Sequence, residues 1–241
     1  MKTLLLNGCS YADAYRNIGD LASRLGLKSS VNLGRPGGSN SRSFRTTLEY
    51  LSKNQDTGFV VLMLTFWGRF EAPWCEHLPV EGKWISYSPH GLSPLRSNLR
   101  PTQSLSHDVS DINSYIKHRV STGGWLSDYL DRTVIDVIMF SGWLDSMKIP
   151  YCIFHTTGLN YDIDYQREEF DKEKYQWIKN NPRIIDLDWS SNQFMHDCGG
   201  RGYKEDQELD PRTRHYHINE HNILTDFLYN YIIDNNLLTH V

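Results

Sequence analysis

The stretch "MKTLLLNGCSYADAY", residues 1–15, passes from an apolar run through Asn7-Gly8-Cys9-Ser10 straight into a helical pattern. A buried strand that turns at once into a helix places the turn at the carboxyl edge of a sheet. Ser10 then has two readings. It caps the helix, since Ser is among the best residues at that position, or its hydroxyl stands at the sheet edge as a nucleophile. The rest of the chain bears on both.

Working outward, residues 11–26 show a helical pattern, with Ile18, Leu21 and Leu25 on one side and Gly26 as a stop. SSVNLG, 29–34, predicts a second strand, with Asn32 as a strand-end residue that satisfies local backbone. Ser39 or Asn40 can cap a helix running to about Lys53. GFVVLMLT, 58–65, is a continuous apolar run of the kind found in central parallel strands. The order strand, helix, strand, helix, strand marks a parallel α/β sheet. Helices are predicted at 108–120 and 125–148, a fourth strand at 149–157, a fifth at 183–187 and a final helix at about 219–234. The expected architecture is α/β, a three-layer α/β/α sandwich on a five-stranded parallel sheet.

Residues 66–107 interrupt this rhythm with five prolines and with Trp67, Trp74, Trp84 and Tyr87. A connection of that length is expected to be a binding insertion or lid. With no repeat and no linker, the 241 residues are expected to form a single domain over 1–241 that carries this insertion.

Composition excludes several classes. A net charge of −4 without a basic block argues against a nucleic-acid partner. No segment approaches the apolar length of a membrane span, and the apolar run at the start is too short for a secretory signal. Cys9, Cys75, Cys152 and Cys198 form no CxxC pair and no zinc spacing, so reduced thiols in a cytoplasmic protein are expected.

Ligands of open parallel sheets bind beyond the carboxyl ends of the strands, where strand order reverses. Three segments arrive there: Gly8-Cys9-Ser10, the loop from Asn32 to Asn40, and Thr65 to Glu71. The loop before the last helix can bring His215 and His217. A serine, a Gly-rich loop and histidines are the parts of a serine hydrolase. Plainer readings stand beside this one. Gly37-Gly38 is a turn, Arg69 and Glu71 are a surface ion pair, and His215, His217 and His221 form a metal site. The metal reading lacks a matching ligand set elsewhere.

These motifs resemble the SGNH/GDSL hydrolase superfamily. Gly8-Cys9-Ser10 is similar to the family's strand-then-Gly-Asp-Ser motif, in a form seen in divergent, often phage or marine microbial, members. "NLGRPGGSN", 32–40, resembles the second motif, with Gly37 at the position that supplies an oxyanion-hole N–H. "RHYHINEHNILTDFL", 214–228, resembles the last motif. Counting back without a gap from the helix puts the family's catalytic histidine at His215, which the resemblance favours; sliding by two puts it at His217.

Two departures stand out. The third motif should place an oxyanion Asn after the third strand, where this chain has Thr65-Phe66-Trp67-Gly68-Arg69; Thr65 or Arg69 can substitute. The acid that should precede the histidine by three residues is replaced by Arg212 or Arg214, which leaves Asp210 as the nearest orienter. The resemblance implies a flavodoxin-like fold and a serine esterase without a cofactor. The substrate would be a small-molecule or glycan ester, with O-acetyl groups of a carbohydrate one candidate. Asn40 joins Gly37, Thr65 and Arg69 on the oxyanion and substrate side. The resemblance also leaves open an acyltransferase, and an inactive binding or virion-associated module. For a phage-borne gene the location would be the host cytoplasm or the virion.

Overall fold

The structure is a computed structural model. It describes residues 2–36, 38–65, 70–73, 84–87, 125–156, 176–185, 191, 194, 198 and 218–239. The elements in chain order are β1 (Thr3–Gly8), α1 (Ser10–Ala14), α2 (Ile18–Arg24), β2 (Ser29–Asn32), α3 (Asn40–Leu51) and β3 (Thr57–Leu64). There follow β4 (Phe70–Pro73), β5 (Trp84–Tyr87), α4 (Trp125–Ser146), β6 (Tyr151–His155), α5 (Gln176–Lys179) and α6 (Ile218–Asp234).

β1 and β3 form because their residues are apolar on both faces, which suits only a sheet covered on both sides. Their alternation divides the core in two. Leu5, Val60, Leu62, Leu64, Tyr151 and Ile153 pack with Phe44 and Leu51 of α3 and with Val134, Phe140 and Leu144 of α4. Leu4, Leu6, Phe59, Val61, Met63, Cys152 and Phe154 pack with residues of α1, α2 and α6. This is the three-layer sandwich expected from the sequence.

All ladders of the main sheet are parallel, in the order β2-β1-β3-β6. Leu5 pairs with Val31 on one side and Val60 on the other, and Leu62 pairs with Ile153. Strand order reverses at β1 and β3, so the crevice lies beyond Gly8 and Leu64.

Among the described residues the main sheet has four laddered strands where five were expected. The predicted fifth, 183–187, joins through one parallel bridge, Ile153 to Ile184. Ile153 N–H donates to the Arg183 carbonyl and Ile185 N–H to the Ile153 carbonyl. Ile184 N–H turns back instead to Asn181, whose own N–H bonds Ile178. The chain therefore meets the sheet straight out of a turn.

The helix expected over 11–26 is two helices. Tyr15 ends α1 in extended geometry, with ψ at 111°. The break turns its ring into the core, where its hydroxyl pairs with that of Thr225 on α6. Inside the aromatic insertion, β4 and β5 form an antiparallel hairpin that pairs Phe70 with Tyr87. The helix predicted at 108–120 lies outside the described residues. Among those residues, no helix is long and apolar enough to cross a membrane.

Candidate active site at the carboxyl edge of the sheet

The end of β1 is fixed by a buried polar residue in an otherwise apolar strand. Asn7 Oδ1 accepts from Gly8 N–H at 2.8 Å, and Asn7 Nδ2 lies 2.9 Å from the Ser43 carbonyl and 2.9 Å from Thr47 Oγ1. One side chain thus ties the turn at Gly8 to the middle of α3. Beyond it, Cys9 occupies the cap position of α1 and makes no side-chain cap bond. Its thiol is buried, 3.9 Å from Thr156 Oγ1. Ser10 is the first helical residue, half-buried. Cys9 therefore stands at the cap position that the sequence reading gave to Ser10, and α1 begins without a side-chain cap bond.

The β2–α3 loop closes over this turn by backbone approach. A Cβ on Gly34 would stand 2.4 Å from Asp13 N, so only glycine fits there. Asn32 holds the same contact from below. Its Nδ2 donates to the Ala12 carbonyl at 2.6 Å, and its Oδ1 accepts from Gly34 N–H at 2.8 Å. That is the local backbone role expected of Asn32. Arg35 N–H reaches the Gly8 carbonyl at 3.2 Å, and buried Gly38 lies against the same carbonyl. Ser39 caps α3 by accepting from Arg42 N–H, and Arg42 donates to the Leu33 carbonyl.

The third wall is the end of β3. Thr65 is buried, and Asn40, from the first turn of α3, makes two bonds to its main chain. Asn40 Oδ1 accepts from Thr65 N–H at 2.8 Å, and Asn40 Nδ2 donates to the Thr65 carbonyl at 3.0 Å. Next to it ends β6. Thr156 donates to the Leu64 carbonyl through both N–H, at 2.9 Å, and Oγ1, at 2.8 Å. The hydroxyl of buried Ser191 donates to the Thr156 carbonyl.

Ser10 at the start of α1, Asn40 at the start of α3 and Thr65 after β3 thus stand at the carboxyl edge of the sheet. Gly37, Arg69, Asp210, His215 and His217 lie outside the described residues. His221 is buried in α6, its ring 6.1 Å from that of Tyr15. The sequence reading overlooked Asn7 and His155. Both carry the same signal, a polar side chain closing an apolar strand.

His155 is the last residue of β6 and is fully enclosed. Burial pushes its imidazole down to about 4, against a smaller upward pull from a hydrogen bond to the Thr65 main chain. An unfolded histidine titrates near 6.5. Between these values the unfolded chain binds a proton that the fold refuses. Stability is therefore full above the unfolded value and falls as pH drops toward the folded one, by about 3 kcal/mol across the window. Urea unfolding at neutral pH and at roughly pH 4.5 is expected to show most of this loss. His155→Gln should remove it, and an equal acid loss in that variant would count against the assignment.

No protein-family model matches the chain, and no curated protein matches it. Similar solved structures include a GDSL-like lipase from Bacteroides thetaiotaomicron VPI-5482, 14% identical over 97% of this chain and 88% of that one, with a TM-score of 0.43. A putative acylhydrolase from Bacteroides fragilis NCTC 9343 is 11% identical over 97% of this chain and 87% of the other, with a TM-score of 0.45. A member of the lipolytic protein G-D-S-L family from Veillonella parvula DSM 2008 is 12% identical over 97% of each chain, with a TM-score of 0.46. Likeness at this level leaves the chemistry to be argued from this chain's own residues.

Proposed function

We propose that the protein hydrolyses esters by Ser-His nucleophilic catalysis. Ser10 Oγ attacks the acyl carbonyl while His215, or His217 in the shifted alignment, takes its proton. The same histidine returns that proton to the departing alcohol. Water then attacks the acyl-Ser10 ester and releases the acid. The N–H groups of Ser10 and Gly37 hold the developing oxyanion, with Thr65 or Arg69 standing in for the family's Asn. Asp210 orients the imidazole. The chemistry needs no cofactor. O-acetyl groups on a carbohydrate are the proposed substrate, with the aromatic insertion 66–107 shaping its site.

One observation carries this reading. Ser10 sits one residue past the cap of α1, at the crevice where strand order reverses, and the β2–α3 loop is brought against that turn by main-chain contact at Gly34 and Gly38. A β2–α3 loop held that close to the strand-to-helix turn is what would bring backbone N–H groups to an oxyanion beside Ser10.

The test is a fluorophosphonate probe. An activated serine forms an Oγ–P bond and expels fluoride, and peptide mass spectrometry locates the adduct. The expected result is one adduct at Ser10, slowed strongly by the histidine variant that removes the base. His215→Ala is expected to be that variant. An equal effect of His217→Ala alone would move the assignment by two residues. A folded protein that stays unlabelled would count against hydrolysis and favour a binding module on the same fold.

A further inference from the structure

The carboxamide of Asn40 meets the Thr65 main chain on both sides of its Cα, accepting from its N–H at 2.8 Å and donating to its C=O at 3.0 Å. One bond holds the peptide that enters Thr65 and the other the peptide that leaves it, so the pair fixes the backbone at that residue. Both groups are buried, at 3% and 2% exposure, so water cannot replace either bond. The residues are 25 apart in sequence, and the contact joins the start of α3 to the end of β3.

Chain order shows which edge that backbone occupies. Gly8 pairs with Met63 in the last rung of the β1–β3 ladder. Two residues on in the sequence stand Ser10, already the first residue of α1, and Thr65, the residue after β3. From the far side, His155 hydrogen-bonds the same Thr65 main chain, and Thr156 holds the carbonyl of the preceding Leu64 twice. The main chain at Leu64 and Thr65 is therefore gripped from α3 and from the end of β6.

We infer that Asn40 is a positioning residue of the acyl site. It acts through Thr65, whose main chain it fixes at the carboxyl edge beyond which Ser10 stands, and it compensates for the Asn that the family would place after β3. The inference rests on the proposed Ser10 chemistry. It assigns Asn40 a role in aligning the transition state rather than in holding the substrate. Misplacing a stabilising group by about 1 Å costs on the order of 100-fold in rate.

The experiment measures kcat and KM for p-nitrophenyl acetate, and fluorophosphonate labelling, in wild type, Asn40→Ala, Asn40→Asp and Ser39→Ala. Asn40→Asp keeps the side chain's size and its acceptor for Thr65 N–H, but sets an oxygen against the Thr65 carbonyl. Ser39→Ala removes the neighbouring cap bond to Arg42 and leaves the Asn40 clamp in place. Both Asn40 variants are expected to lose roughly 10- to 100-fold in kcat and in labelling rate, with KM changed by less than about threefold. Ser39→Ala is expected to lower the melting temperature while kcat stays within about threefold, as the loss of a cap alone should do.

An unchanged kcat in folded Asn40 variants, or an equal kcat loss in Ser39→Ala, would overturn the inference while labelling of wild type at Ser10 left the hydrolase reading standing. A wild-type chain unlabelled at Ser10 would overturn both.

Discussion

Ser10→Ala is expected to cut ester hydrolysis by roughly 10,000- to 1,000,000-fold while leaving the fold intact. The size follows from the role. Without the hydroxyl there is no acyl intermediate, and the residual rate comes from backbone N–H groups acting on a direct attack by water. The fold survives because Ser10 is half-buried at the first position of α1, where Ala is an excellent helix former, and because the cap position belongs to Cys9. Melting temperature should move by no more than a degree or two, which for a chain this long corresponds to about 0.5 kcal/mol. Cys9 cannot take over the reaction, since its thiol is turned inward toward Thr156. Cys9→Ala therefore serves as the counterpart, expected to lose stability and keep activity. Steady-state assays of both variants, with thermal melts, decide the matter. Hydrolysis that persists in Ser10→Ala and disappears in Cys9→Ala would reverse the two roles.

What made the sheet legible is chemical redundancy. Residues 4–6 of β1 and 59–64 of β3 are unbroken apolar runs, which a strand covered on both faces buries in full. The cap at Ser39 and the bond of Asn32 to Gly34 N–H were legible because each acts within three residues of itself, whereas the bond of Asn32 to Ala12, 20 residues away, was not. What escaped is long-range or weakly patterned. The break at Tyr15 is set by Thr225, 210 residues away, so no local propensity records it. The β4–β5 hairpin joins two four-residue strands by main-chain bonds, and strands so short carry too little alternation to be read. Of the predicted strand 183–187, the described residues meet the sheet at the Ile184 bridge, straight out of the turn at Asn181.

At the site, the turn at Ser10 was legible from a strand that met a helix without a loop. The grip on Thr65 was not, because Asn40 looked like a cap and His155 like the end of a strand. Both are polar residues enclosed where strands end. In a parallel α/β sheet that is the place where loops must be held still for a ligand. A polar residue that ends an apolar strand is therefore worth reading as a support for the loop beyond it.

Gly8→Ala should have the opposite consequence to Ser10→Ala, a failing fold two residues away from a silent one. Gly8 has φ at +155°, a conformation that side-chain-bearing residues rarely adopt. A Cβ there would stand 2.4 Å from the Met63 carbonyl oxygen, 2.9 Å from Ala12 Cβ and 3.0 Å from Met63 Cβ. The first contact is with backbone, and that backbone belongs to Gly8's own partner across the ladder. Nothing flexible is available to yield. Relief would require β1 and β3 to separate at their carboxyl ends, or the turn to lift off Asn7. The first movement opens the end of the β1–β3 ladder, and the second breaks the buried bond from Gly8 N–H to Asn7 Oδ1. Overpacking and backbone strain together are expected to cost about 3–5 kcal/mol, a large share of the roughly 5–15 kcal/mol that holds a domain together. Urea unfolding of Gly8→Ala should show a midpoint lowered by that amount, or no folded baseline at all. A variant that folds with wild-type stability would mean that the strand-to-helix turn is looser than these distances allow. The placement of Ser10 by main-chain packing would then lose its foundation, since the same close approach that excludes a methyl group at Gly8 is what holds the serine at the edge of the sheet.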